Sequence, residues 1–405
     1  MCLNIAQMEV RFGLKENWQQ FSLLVLVNAF VGGMVGLERS ILPQLAAQEF
    51  HIASHSAIFS FIVVFGIVKA LTNYFAGHFA NALGRRRLLI FGWLFAIPIP
   101  FLLMWAPTWN WIVAANVLLG INQGLTWSST VTMKIDLVGD KQRGLAMGIN
   151  EFAGYLSVGL VALLTAWIAN TYGIRPYPFY IGIVFVFLGL LVSWIWVKDT
   201  RSFVQKAAQE SSLPLLKKPF WDTSLLHRNL GAISQAGLVN NLNDGMIWGL
   251  FPLLLASKGF DLGQIGIITA IYPLVWGLTQ LGTGRLSDIF CQKDLLFIGM
   301  LLQAFAILGL IWAQTFAAFA ILSFVIGIGT AVVYPTFLAS IAENTHPADR
   351  AASLGTFRLW RDLGYAFGAI LTGILADYFE LEVSVIVIGL LTLGSAGVIK
   401  WRMMC

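Results

Sequence analysis

GHFANALGRRRLL (77–89) is a polar, basic break between two long apolar runs, and GRLSDIFCQK (284–293) repeats its outline 207 residues later. At that single offset Gly77 falls on Gly284, Asn81 on Asp288, Leu88-Leu89 on Leu295-Leu296 and Gly92 on Gly299. Working outward, the same register sets Thr72 on Thr279, Gly120 on Gly327, Trp127 on Tyr334, Asp136 on Glu343, Arg143 on Arg350, Gly148 on Gly355 and Leu164-Thr165 on Leu371-Thr372. Pro43 and Pro252 match with a slip of two residues. Chance matches in glycine-rich helices do not hold one register over so long a stretch, so the chain reads as a duplication.

Each copy is built for lipid. The 405 residues are 58% hydrophobic and 11% charged, with 15 Trp and a mean hydropathy of +0.77, which excludes both an ordinary soluble domain and a disordered chain. A helix needs about 20 apolar residues to cross a bilayer. Twelve such runs are expected near 21–45, 55–80, 88–106, 109–133, 145–170, 176–197, 229–256, 263–284, 295–313, 316–341, 350–376 and 381–402. The fold class is therefore an all-α membrane protein. Its units are a cytoplasmic N-terminal segment (1–20), a six-helix bundle (21–197), a polar connection (198–228) expected to form short surface helices, and a second six-helix bundle (229–402).

Charge sets the orientation. With the N-terminus inside, nineteen of the 25 Lys and Arg fall in inside segments, whereas the outer loops keep Arg175 and Lys258. The positive-inside rule then makes both termini cytoplasmic. The net charge of +5 is thus a matter of topology and carries no expectation of nucleic acid. Residues 1–20 lack the order of a cleaved signal, so the first span is expected to act as its own insertion signal. Cys2, Cys291 and Cys405 show neither metal nor disulfide spacing and read as free thiols, and no metal or cofactor is expected.

The 77–89 stretch resembles the Gly-x3-Asp-x2-Gly-Arg-Arg/Lys signature of the major facilitator superfamily, and the duplication, the run count and the second loop copy extend the resemblance along the whole chain. It implies twelve transmembrane helices in two pseudosymmetric bundles, related most closely to bacterial drug and metabolite exporters. It further implies a conformational-switch loop on the cytoplasmic side, formed by Gly77, Asn81, Gly84, Arg85 and Arg86 with Asp136 as acidic partner, and echoed by Gly284 and Asp288. This sequence departs from the signature where Asn81 replaces the Asp, Cys291 a Gly and Gln292 a basic residue. Two exporter motifs are also absent: Asn116-x3-Gly120 stands where proton-coupled drug exporters carry Arg-x3-Gly, and 148–159 lacks a Gly-Pro pair.

Charges inside the spans carry the chemistry. Glu38, Arg39, Lys69, Glu151, Asp244, Arg358, Arg361 and Asp362 lie in apolar runs, where each costs roughly 2.5–3.5 kcal/mol at a helix centre and so faces a cavity or a partner. Lys69, Asn116, Gln123, Asn150, Asn240, Asn241, Asn243, Trp276, Tyr334, Arg358 and Arg361 are the expected cavity and substrate residues. Asn116, Gln123, Thr130 and Lys134 form a stripe on span four, and Asn240, Asn243 and Asp244 share a face of span seven. Trp127 and Tyr272 add aromatic walls, and Pro273 and Pro335 mark expected kinks. Glu151, Asp244, Asp362 and Glu38 are the candidates for proton coupling. At the repeat offset Glu151 falls on Arg358, which predicts that the two meet across the pseudosymmetry axis. Arg358 and Asp362, one turn apart, are expected to neutralise each other and leave Arg361 unpaired.

No GxxxxGK[ST] loop, nucleophile triad or metal cluster is present, which argues against an enzyme or an ATP-driven pump. Related halves rocking about a midplane site give alternating access. The expected function is a multi-pass transporter of the inner or plasma membrane, a monomer, moving a small-molecule substrate by proton-coupled efflux. The alternative is uptake or exchange of an anionic or zwitterionic metabolite held by Lys69, Arg358 and Arg361. A sensor built on the same fold without transport is the third reading.

Overall fold

The computed structural model describes residues 10–405 apart from 40, 43–44, 47–48, 52–54, 140–141 and 261. An apolar run in lipid must satisfy its backbone internally, and among the described residues the chain is helical and without strands. The first half holds α1 (Trp18–Arg39), α2 (His55–Leu83), α3 (Arg85–Ala96), α4 (Pro98–Trp105), α5 (Trp109–Val138), α6 (Arg143–Tyr172) and α7 (Tyr180–Ile195). A surface helix, α8 (Arg201–Glu210), follows. The second half holds α9 (Arg228–Gly249), α10 (Phe251–Ser257), α11 (Leu262–Leu286), α12 (Gln292–Gly309), α13 (Phe316–Glu343), α14 (Arg350–Tyr378) and α15 (Leu381–Arg402).

Among the described residues nine of the resulting rods are long and apolar enough to cross a membrane, with α3 and α4 acting as one. The long helices α5, α9 and α14 fall outside that set, and they are the ones that carry the polar stripe, the Asn240–Asp244 cluster and the arginines. Helices α11 and α13 continue through Pro273 and Pro335 without an interruption. The interruptions lie before Pro98 and at Leu250, beside Pro252, where a missing N–H can fall on a helix start and leave nothing unsatisfied.

The two halves pack alike. In the first, α1 packs on α6, α2 on α5 and α3 on α5; in the second, the counterparts α9 on α14, α11 on α13 and α12 on α13 do the same. Across the halves α2 meets α14 and α6 meets α11, again a related pair. The first and last described residues lie at one end of the bundle. There Gln20 donates to the Trp196 carbonyl, Lys206 to Val10 and Arg228 to Trp401, and the same end carries Arg85–Arg87; we call it the basic end.

At the basic end the halves touch through glycines. A Cβ on Gly144 of α6 would collide with Ser287 and the Gly284 carbonyl of α11, and a Cβ on Gly77 of α2 with the Ala351 carbonyl and Gly355 of α14. These are repeat-related close approaches that no larger residue permits without displacing backbone. One cysteine expectation is corrected here: Cys291, at the start of α12, forms a disulfide with Cys405 across 114 residues of sequence. Sequence spacing could not show the pair because folding alone brings the last residue of the chain beside the loop. Cys2 lies outside the described residues.

Candidate functional site

The buried charges of α14 gather between the halves, in a pairing that differs from the sequence expectation. Asp362 accepts two bonds from its neighbour Arg361, from Nε at 2.8 Å and from Nη2 at 2.6 Å, and a third from Asn73 on α2. The Arg361 guanidinium is stacked 5.2 Å from the Tyr334 ring of α13 and 6.0 Å from Phe357. Arg358, expected to hold Asp362, instead crosses to the other half, where Nη1 donates to Ser128 Oγ on α5 at 2.8 Å. The one-turn rule fails because Arg361 reaches the carboxylate with both fork nitrogens, while Ser128 supplies Arg358 with another acceptor.

Glu151 and Arg358 approach without bonding. Glu151 Oε1 accepts from Asn150 Nδ2 at 2.7 Å and from Trp127 Nε1 at 3.2 Å, and Oε2 has no protein partner. Trp127 and Ser128 are consecutive, so both charged residues are tied to one turn of α5 from opposite halves. Electrostatically Arg358, Lys69 and Lys134 all feel the Glu151 charge. Lys134 donates to Asn150 Oδ1, and Asn28 of α1 donates to the Asn150 carbonyl at 2.8 Å. Lys69, half-buried at mid-helix, sits 5.6 Å from the Phe65 ring and 5.7 Å from Trp127.

Aromatic rings from both halves close the site. Tyr155 of α6 lies 3.9 Å from the Trp276 ring of α11 and its hydroxyl is 3.2 Å from that of Tyr334. Trp276 in turn meets Tyr334 at 5.1 Å and Tyr272 at 5.8 Å, and Trp127 meets Tyr155 at 5.6 Å. Tyr155 was not among the expected residues. It, Asn28, Asn73 and Ser128 are polar groups in apolar runs like many others, and only cross-helix packing singles them out.

The other expected cavity residues sit apart from this cluster. Asn116 bonds back to the Ile112 carbonyl of its own helix, and Gln123 donates to the Val31 carbonyl of α1 at 2.8 Å. Asn240 and Asn243 are bridged by Gln303 of α12 at 3.0 Å each, and Thr392 of α15 donates to Asn243. Asn241 packs behind Gly364. Asp244 accepts from Tyr272, which also lies 3.3 Å from Thr330. Glu38 is buried late in α1, away from the basic end; the Arg39 side chain lies outside the described residues.

The loop residues form contacts between the halves at the basic end. Asp288 accepts from the backbone N–H groups of Gly144 and Leu145, at 2.7 and 2.9 Å, and so caps the start of α6. At the related place Asn81 donates to the Ala348 carbonyl, just before α14. The two contacts answer each other in position but not in chemistry: a carboxylate takes helix N–H groups, while an amide gives to a carbonyl. Arg85 lies 3.3 Å from Asp136, and Thr200 of the central connection donates to the same carboxylate at 2.7 Å. The Arg86 backbone donates to Asp199 at 3.2 Å. Gly84 has φ 88°, and its lack of a Cβ leaves room for the Asp199 carboxylate. Asp199 and Thr200, from a segment whose role the sequence left open, are therefore part of this set of contacts.

Comparison with known proteins bears on the whole chain. The Major Facilitator Superfamily profile matches residues 24–236 and 233–403. The chain is similar to the proton-coupled antiporter flippase LtaA of Staphylococcus haemolyticus, 23% identical over 384 residues that cover 90% of this chain and 89% of the relative. It is also similar to multidrug resistance protein 1 of Bacillus subtilis, 21% identical over 87% of this chain and 89% of that one. Among solved structures the human organic anion transporter MFSD10 shares the fold, with a TM-score of 0.77 and 16% identity over 94% of this chain and 99% of that one.

Proposed function

Because this chain belongs to the Major Facilitator Superfamily, we propose that it is a secondary active transporter moving a small solute by alternating access, with proton-coupled efflux as its direction. The observation that carries the reading is the buried cluster between the halves, where Lys69, Lys134, Arg358 and Arg361 face Glu151 and Asp362 beside a closed basic end. Hydrocarbon tolerates such a group only where it faces a cavity or pairs with partners, and so many charges gathered between two halves mark a functional site by default. The efflux direction draws support from relatives named as multidrug and proton-coupled antiporter proteins.

In this reading the four units are the segments 1–20, 21–197, 198–228 and 229–402. The twelve rods span a bacterial inner membrane as a monomer, and the basic end faces the cytoplasm. Asp288, Asn81 and the Arg85–Asp136 pair hold that end shut. Glu151 is the coupling carboxylate, since one of its oxygens has no protein partner. A second reading, uptake or exchange of an anionic metabolite, is favoured by the excess of cations over carboxylates.

A thermal-shift screen of purified protein against diverse solutes identifies a ligand, and counterflow of that solute in proteoliposomes tests transport. Wild type is expected to exchange it, and Glu151→Gln to lose acceleration by a pH gradient while keeping exchange. A ligand that stabilises the protein but never crosses the bilayer identifies a sensor and ends the transport reading.

A further inference from the structure

We infer that the site binds an organic oxyanion, a carboxylate or phosphate carried on an apolar ring, with the Nε/Nη2 edge of Arg358 as its anchor and Lys69 as the second cation. This rests on the transport reading and names the class of its substrate. Arg358 is 1% exposed and its guanidinium stays charged at any physiological pH. Among the described residues it hydrogen-bonds through Nη1 to Ser128, and neither Nε nor Nη2 has an acceptor there. Those two N–H groups point in parallel from one edge of the planar guanidinium, the geometry that receives two oxygens of a carboxylate or phosphate at once.

The surroundings agree with this use. Asp362 is already occupied by Arg361 and Asn73, and Glu151 by Trp127 and Asn150 through its one bonded oxygen. Among the described residues of the cluster the Asp362 carboxylate is bonded to Arg361 while Arg358 bonds a neutral hydroxyl, and a buried charge without a bonded counter-charge costs several kcal/mol unless one arrives. A cationic solute would deepen that imbalance; an anion relieves it. Lys69, half-buried between the Phe65 and Trp127 rings, and half-buried Tyr155, stacked on Trp276, give the anion's body apolar surface.

The test uses three ring compounds of similar size on the purified full chain: benzoate, phenyl phosphate and benzyltrimethylammonium, read by tryptophan fluorescence and thermal shift. Benzoate or phenyl phosphate is expected to bind saturably, and the better of the two tells carboxylate from phosphate. Arg358→Gln should weaken that binding roughly 10- to 100-fold, the loss of two charge-assisted bonds. Arg358→Lys, which keeps the charge without the fork, should fall between the two, and Lys217→Gln, an exposed surface cation, should change nothing. If Arg358→Gln does not fold, Lys69→Gln and Ser128→Ala are read instead and should each weaken binding. Tighter binding of the ammonium compound, binding of neither anion, or anion binding indifferent to these substitutions overturns the inference. Anion binding with the Arg358 dependence but no counterflow leaves it standing and refutes transport, whereas counterflow of another solute with no anion binding does the reverse.

Discussion

At the scale of single residues, the chain's unusual charges are distinguished by their partners and not by their type. Arg361 and Asp362 form a buried pair with three hydrogen bonds onto one carboxylate, whereas Arg358 reaches the opposite half. Breaking a buried pair by removing one member typically costs about 3–5 kcal/mol, while replacing both by apolar groups of similar volume is often far milder. Asp362→Leu and Arg361→Met are therefore each expected to lower the thermal midpoint in detergent by more than the double variant does; strictly additive losses would show that the two side chains are not coupled. The sequence displays all three charges yet misassigns the pair, because the competing partners Ser128 and Asn73 lie 230 and 289 residues away. Spacing along one helix carries no information about them.

At the scale of elements, the apolar runs were legible to within a few residues, since a helix in lipid is dictated by its composition. Helix continuity was not: Pro273 and Pro335 are accommodated inside helices while Pro98 and Pro252 begin new ones, and which outcome prevails depends on what neighbours satisfy the freed carbonyls. The start of α9 carries its own titratable cap. His227 Nδ1 accepts the Leu230 N–H at 3.3 Å, and partial burial moves its pKa below the ordinary histidine range, opposed weakly by Asp222. A depressed histidine favours the neutral form when folded, so its contribution is complete above about pH 6.5 and disappears as pH falls through the lower folded value. Half-exposure limits the effect to about 1 kcal/mol, the size of a helix cap. Between pH 7.5 and 5, wild type should lose that much more stability than His227→Asn, whose amide oxygen accepts at both pH values; parallel losses would remove the cap from consideration.

At the scale of the molecule, the duplication read from the 77–89 and 284–293 stretches reappears as paired helix contacts and as two glycine approaches at the basic end. The position of these contacts was thus legible. Their chemistry was legible only in part, because Thr200 and Asp199 join them from a connection with no repeat counterpart. The buried charged cluster was less so: Asn116, Asn240 and Asn243 bond within one half, as Gln123 does through Nε2, an outcome that polarity alone does not separate from lining a cavity. If the halves rock about this cluster, loosening one end must tighten the other. Spin labels at His78 and Glu343 report the basic end, and labels at Tyr172 and Phe379 the opposite end, all four being exposed positions. In double electron–electron resonance on membranes, Asp288→Ala, which removes the cap on α6, is expected to shift the His78–Glu343 distance to longer values and the Tyr172–Phe379 distance to shorter ones in the same sample. Two distances that lengthen together, or that do not respond to the loss of the cap, would contradict alternating access in this protein.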